Sequence, residues 1–202
     1  FISISAMNIE GLGKKQVQFL LENKFIQDAV DLFRISEEEF AQIATKPGFG
    51  AKSMSNLRIS LENAKSVTLE RFIYALGIRH IGEVTAKLLA SFFLSDKAFY
   101  QSLIAISAGD RIICENINNL DGIGDKIIDS LVAFCELGNN LQLVSDLISV
   151  LNIREYQDNK VNSLLSGKAV VFTGTLNSLS RAEAKSQAEK MGAKVTSQIS
   201  KS

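Results

Sequence analysis

Apolar residues recur at helical spacing through the first three quarters of the chain. Val17, Leu20 and Leu21 fall at i, i+3 and i+4, and Met54, Leu57 and Leu61 at i, i+3 and i+7. Ala86, Leu88, Leu89 and Phe92 form a third stripe, Ile128 and Leu131 a fourth, and Leu141, Val144, Ile148 and Leu151 a fifth. Each predicts a helix with one face against a core, so residues 8–151 are expected to be mainly helical. The polar stretch NIREYQDNKVNS at 152–163 then breaks the period and reads as the start of a linker over 152–164. Beyond it, GKAVVFTGTL at 167–176 is a short apolar run rich in β-branched residues and predicts a buried strand. A helix from about Arg181 to Met191, stopped by Gly192, and a second strand from Lys194 follow. This β-α-β order predicts parallel pairing of the two strands.

Four of the helical stripes share an entrance. IEGLGKKQVQFLL sets Gly11 and Gly13 before its stripe, PGFGAKSMSNL sets Gly48 and Gly50, and DGIGDKIIDSL sets Gly122 and Gly124. In IRHIGEVTAKLL the same places hold His80 and Gly82. Between each pair stands one apolar residue, Leu12, Phe49, Ile81 or Ile123, and four residues past each second glycine stands another, Val17, Met54, Ala86 or Ile128. The unit is a sharp turn that tucks one side chain inward and feeds a helix start. Spacings of 37, 32 and 42 residues leave room for a helix on either side and are too uneven for a solenoid.

Charge decides what such a turn can do. The 202 residues carry 22 Lys plus Arg against 22 Asp plus Glu, so bulk basicity gives no reason to expect a polyanion. Helix starts supply the alternative: unpaired amides at each one amount to about half a positive charge, and four supply about two. Lys14, Lys15, Lys52, Arg79, Lys87 and Lys126 lie beside these turns as local cations. Cys114 and Cys135 form no CxxC pair and there is one His, so the sequence offers neither a zinc site nor a disulfide framework, and two buried thiols are expected. No apolar run reaches bilayer-crossing length, and a cytosolic protein is expected. GFGAKS at 48–53 lacks the spacing of a phosphate-binding loop. His80 reads as a turn residue with unusual backbone angles rather than a catalytic base. Phe1 in place of Met, and the ending at Lys201-Ser202, read as a cut fragment.

Each turn resembles the helix-hairpin-helix motif: apolar, any, Gly, apolar, Gly, then apolar four residues on. The strand and corner at Leu165, Gly167, Lys168, Val170, Thr173 and Gly174, with Gly192-Ala193 later, resemble the opening of a BRCT domain. The order of these parts, with AMNIEGLG and LGIRHIGEVTAKLLA, is similar to the C-terminal region of bacterial NAD-dependent DNA ligases. The fold class this implies is mainly α: four helix-hairpin-helix motifs in a compact helical domain, then a partial α/β BRCT domain. The expected boundaries are a remnant after a zinc finger at 1–7, the helix-hairpin-helix domain at 8–151, the linker at 152–164 and the N-terminal half of a BRCT domain at 165–202.

The resemblance implies DNA-backbone contact at Gly11, Gly13, Lys14, Gly48, Gly50, Lys52, Arg79, Gly82, Gly122, Gly124 and Lys126. It pairs the first hairpin with the second and the third with the fourth, about a pseudo-two-fold axis. Thr173 and Gly174, the BRCT corner, are expected to be structural. The implied partner is nicked double-stranded DNA held without regard to sequence during replication and repair, with the other ligase domains in cis, no membrane, and a cytoplasmic, nucleoid-associated location in a bacterium. No catalytic or metal residue is expected here, because the KxDG lysine motif is absent from the sequence. NAD, Mg²⁺ and Zn²⁺ are implied for the whole ligase and none for this part. Two other functions fit a weaker reading: a helix-hairpin-helix targeting module of a nuclease or junction-binding subunit, and a protein-interaction scaffold centred on BRCT.

Overall fold

The computed structural model describes residues 1–157, 168–173, 184–185, 187–188 and 191–196. It divides into two units, Phe1–Tyr156 and Gln157–Ser202.

The first unit is helical. In chain order its helices are α1 Lys14–Glu22, α2 Glu37–Ala44, α3 Ala51–Ala64, α4 Leu69–Ala75, α5 Glu83–Phe93, α6 Asp96–Ser107, α7 Arg111–Asn118, α8 Asp125–Glu136 and α9 Asn140–Val150. A short 3-10 turn spans Asp31–Phe33. Most of each predicted stripe is buried, with Leu20, Leu57, Leu89, Leu131 and Val144 essentially inaccessible, but Leu21 and Phe92 are exposed, and Leu147, outside the predicted stripe, is buried on α9. Phe72 and Phe99 meet edge to face with their ring centroids 6.4 Å apart, and Phe93 closes on Phe99 at 5.3 Å.

Two expected boundaries are corrected. Residues 1–7 are not a remnant outside the helical unit, because Ala6 and Met7 are buried in its core and the Phe1 ring stands edge-on to Phe33. Arg71 fastens this segment, donating from Nε to the Ala6 carbonyl at 2.8 Å and from Nη2 to the Ile4 carbonyl at 2.7 Å. Nor does a linker begin at 152. Asn152–Arg154 is a strand, β2, pairing in parallel with β1 at Ser66–Thr68 in the register Val67↔Ile153. Asn152 N–H donates to the Lys65 carbonyl at 2.7 Å and Tyr156 N–H to the Leu94 carbonyl at 2.8 Å, so the chain stays on the helical unit to Tyr156. Three residues are too few for alternation to show in a polar sequence, and their partner lies 86 residues upstream.

In the second unit, β3 Ala169–Val170 and β4 Lys194–Val195 pair in parallel, Ala169↔Lys194 and Val170↔Val195, as the β-α-β order predicts, but the first strand is not the buried one expected, since Ala169 is exposed and Val170 half-buried. Residues 184, 185, 187 and 188 are helical, and Gly192 at φ +80° follows Met191, where Ala193 N–H returns to the Ala188 carbonyl at 3.0 Å. The remainder of the expected linker, Gly174 and most of the expected Arg181–Met191 helix lie outside the described residues.

Candidate nucleic-acid interface

The four turns have one geometry. Their first positions occupy the left-handed region, with φ of +87° at Gly11, +86° at Gly48, +62° at His80 and +88° at Gly122. That angle folds the chain back so that the next side chain points inward, and Leu12, Phe49, Ile81 and Ile123 are all buried. The second positions, Gly13, Gly50, Gly82 and Gly124, are extended and cap α1, α3, α5 and α8. The fourth residue on donates its amide back to each cap carbonyl, at 3.0, 2.9, 2.8 and 3.4 Å for Val17, Met54, Ala86 and Ile128. Of these, Met54 and Ala86 are buried while Val17 and Ile128 are half-buried against the core. His80 takes the left-handed angle that its sister positions give to glycine, as expected of a turn residue.

The hairpins pair as chain order implies. In the first pair, Glu10 N–H donates to Ser60 Oγ of α3 at 2.7 Å and Phe19 lies 5.2 Å from Phe49. Gly11 passes over α3 so closely that an added Cβ would stand 3.8 Å from Leu57 Cβ. In the second pair, His80 Nδ1 is 3.2 Å from Ser130 Oγ on α8, and a Cβ on Gly122 would stand 3.4 Å from Leu88 Cδ1 on α5. Ser130 and Leu88 are each six residues past their helix cap, so each turn of this pair rests on the same level of the other's helix.

The hairpin helix starts are set apart by glycine at the cap; α4 and α9 also lack a side-chain cap bond, but their cap residues are Thr68 and Asn139. Helices α2, α6 and α7 have side-chain caps: Ser36 accepts from Glu39 N–H, Ser95 from Ala98 N–H, and Asp110 from Ile112 and Ile113 N–H. The hairpin helices α3, α5 and α8 have glycine caps and no side-chain acceptor. A Cβ at Gly50, Gly82 or Gly124 would meet nothing within 4 Å, so neither angle nor packing requires glycine there. The bare caps leave unpaired amides accessible from outside. At α1 the arrangement differs, because Gln16 Oε1 turns back to accept Gly13 N–H at 3.2 Å.

All eleven residues expected at the DNA backbone, Gly11 to Lys126, are solvent-exposed. The structure brings them into two groups, one at each hairpin pair. Lys15, Lys52 and Lys126 occupy the second residue of α1, α3 and α8. A cation there opposes the helix dipole, and no ion pair among the described residues neutralises these lysines or Arg79, whereas Arg58 pairs with Glu37 and Lys65 with Glu62. Sequence reasoning missed that α5 breaks the series: its second residue is Val84, 77% exposed. The signal lies within the four aligned turns, where the second residue after the glycine reads Lys15, Lys52, Val84 and Lys126. The first turns of α5 and α8 also carry Glu83 and Asp125, while those of α1 and α3 hold no acid. Thr173 is exposed, and its neighbour Gly174 lies outside the described residues. Of the two thiols expected to be buried, Cys135 is buried and Cys114 only half-buried; burial raises the Cys135 thiol to about 12, with Cys114 and Glu136 adding to the effect, which keeps it protonated at neutral pH. Among the described residues no cluster of metal-ligating side chains occurs, and no helix is long and apolar enough to cross a membrane.

A helix-hairpin-helix motif model matches residues 71–144, enclosing the His80 and Gly122 turns, and a BRCA1 C Terminus (BRCT) domain model matches residues 160–202. The chain is 46% identical, along 99% of its length, to DNA ligase of Rickettsia prowazekii (strain Madrid E) and to that of Rickettsia bellii (strain OSU 85-389). This chain is homologous to part of DNA ligase. It is also 45% identical to the DNA ligase of Rickettsia akari (strain Hartford). The chain spans about 30% of the length of the DNA ligases it matches. The Gly11 and Gly48 turns lie outside the motif match and join the other two through shared angles, caps and pairing.

Proposed function

We propose that this chain holds the sugar-phosphate backbone of nicked duplex DNA, without reading sequence, as the non-catalytic DNA-gripping part of an NAD-dependent DNA ligase acting in replication and repair. The observation that carries this is the set of glycine-capped helix starts behind left-handed turns: Gly50, Gly82 and Gly124 leave their amides bare before open space, whereas Ser36, Ser95 and Asp110 close α2, α6 and α7 with side chains. A phosphate oxygen can come within hydrogen-bond distance of such an amide, and the lysines at the second helical residue add charge. Two hairpin pairs give four contact points, so both sides of a nick are held while other domains act on the aligned ends. Adenylation by NAD with Mg²⁺, and a structural Zn²⁺, belong on this reading to the remainder of the ligase, in the cytoplasm on the nucleoid.

The test is a fluorescence-anisotropy titration of the chain with a nicked oligonucleotide duplex at several salt concentrations. Contact with about four to eight phosphates gives a slope of log affinity on log salt of about −4 to −7, and affinity that changes little when the base sequence is scrambled. Absence of any complex at low ionic strength refutes the reading.

A further inference from the structure

Two open grooves occupy equivalent places in the two hairpin pairs. One, ≈ 490 Å³, lies between the first turn at Asn8–Gly11 and helix α3. The other, ≈ 850 Å³, lies between the third turn at Gly77–His80 and helix α8. The correspondence is residue for residue. Asn8 and Gly77 both have positive φ, +53° and +67°, and each is followed by a buried isoleucine, Ile9 or Ile78. Six, ten and thirteen residues past the helix cap, the first groove has Asn56, Ser60 and Asn63 where the second has Ser130, Phe134 and Leu137.

One architecture therefore carries two chemistries. The first groove is mostly polar, with Glu10 its one charged lining residue and the exposed Ile59 its one large apolar one. In the second, Arg79 replaces Glu10, His80 replaces Gly11, and Lys126 stands at the mouth, against a single acid, Asp129. Its far end is apolar: Leu137 is 64% exposed and Phe134 half-buried. Leu137 stands just past the end of α8, and Lys126 to Glu136 spans about 15 Å of helix. Lys126 has a counterpart in Lys52, but hairpin geometry demands neither Arg79 and His80 nor the exposed leucine, since the sister groove has Glu10, Gly11 and Asn63 in their places.

We propose that this second groove receives a single strand of DNA where it departs from the duplex held by the third and fourth hairpins. Phosphates lie toward Arg79, His80 and Lys126, and bases rest against Phe134 and Leu137. A cationic track ending on an apolar platform suits a strand whose bases are unpaired. The groove opens on the same Arg79 and Lys126 that flank the bare helix starts, so strand and duplex are held continuously. The inference rests on the duplex-binding reading, from which its test is separable.

The experiment compares the full chain's affinity for a nicked duplex with that for the same duplex bearing an unpaired flap of five thymidines, on the 5′ or the 3′ side. The expected result is binding tightened about fivefold or more by a flap of at least one polarity, in line with the strength of base stacking. Leu137→Glu, and separately Ala133→Glu at an exposed residue of α8 that also lines the groove, then bring the flapped-to-unflapped ratio back to about one, with helicity checked by circular dichroism. Equal affinity for flapped and unflapped duplexes overturns the proposal and leaves duplex binding intact. Absence of all DNA binding overturns both. Saturable binding of an acidic peptide, suppressed by Leu137→Glu, with no flap preference, assigns the groove to a protein partner and likewise overturns the proposal.

Discussion

His80 Nδ1 lies 3.2 Å from Ser130 Oγ, and that contact joins the third hairpin to the helix of the fourth. The turn keeps a left-handed angle of +62° at a residue with a full side chain. Ser130 Oγ in turn donates to the Lys126 carbonyl at 2.8 Å, one turn earlier in α8. A side chain held at such an angle costs about 1–3 kcal/mol unless the surroundings fix it, and β-branched residues tolerate it least. His80→Val should therefore lower the free energy of unfolding by about 1–3 kcal/mol, while His80→Gly stays within about 1 kcal/mol of the parent as released strain offsets the lost contact. Urea denaturation at neutral pH measures both.

Gly122 and Gly124 should respond oppositely to the same substitution. Gly122 has φ +88° and lies against Leu88, so Gly122→Val strains the backbone and crowds α5. Its cost should be about 1–3 kcal/mol of stability. Gly124 is extended and faces open space. Gly124→Val should leave the melting temperature nearly unchanged yet weaken binding to nicked duplex by roughly tenfold, the effect of losing one charge-assisted hydrogen bond. Unchanged affinity would remove this hairpin from the interface.

Side-chain caps should show the converse pattern. Asp110 accepts from Ile112 N–H at 2.9 Å at the start of α7. Asp110→Ala is expected to cost about 1 kcal/mol of stability without lowering DNA affinity, because α7 follows none of the four paired hairpin turns and its first amides are taken by Asp110. Calorimetry and anisotropy on the same preparation separate the two effects.

Lys52 and Lys126 occupy matching second positions of α3 and α8. Lys52→Gln and Lys126→Gln should each make the salt slope shallower by about one and weaken all sequences alike. A slope unchanged by both would place the lysines in solvent rather than on phosphate.

Burial raises the Cys135 thiol to about 12 from an ordinary 9.0. An acid whose pKa is raised on folding stabilises the fold below the unfolded value and loses that contribution as pH climbs toward the folded value. The stability advantage of the parent over Cys135→Ala should hold at neutral pH and shrink between about pH 9 and 12, followed by chemical denaturation. A disulfide reagent at pH 7 should label the half-buried Cys114 well before Cys135, which reacts on unfolding.

The sequence by itself determined the helices, the four sharp turns and the inward side chain at each, since left-handed angles and helical stripes are local demands that Gly11, Leu12 and Leu20 satisfy with their near neighbours. The parallel pairing of Ala169–Val170 with Lys194–Val195 also followed from local order. Tertiary structure decided what depends on distant parts of the chain. Arg71 holds the carbonyls of Ile4 and Ala6 from about sixty-five residues away, and β2 exists because β1 lies beside it. It also decided which glycines serve the fold and which face outward: Gly122 and Gly124 are alike in sequence, and only packing puts Leu88 beside one and open space before the other. Local backbone preference is written in adjacent residues, whereas steric room and long-range hydrogen bonding arise only after the helices have packed.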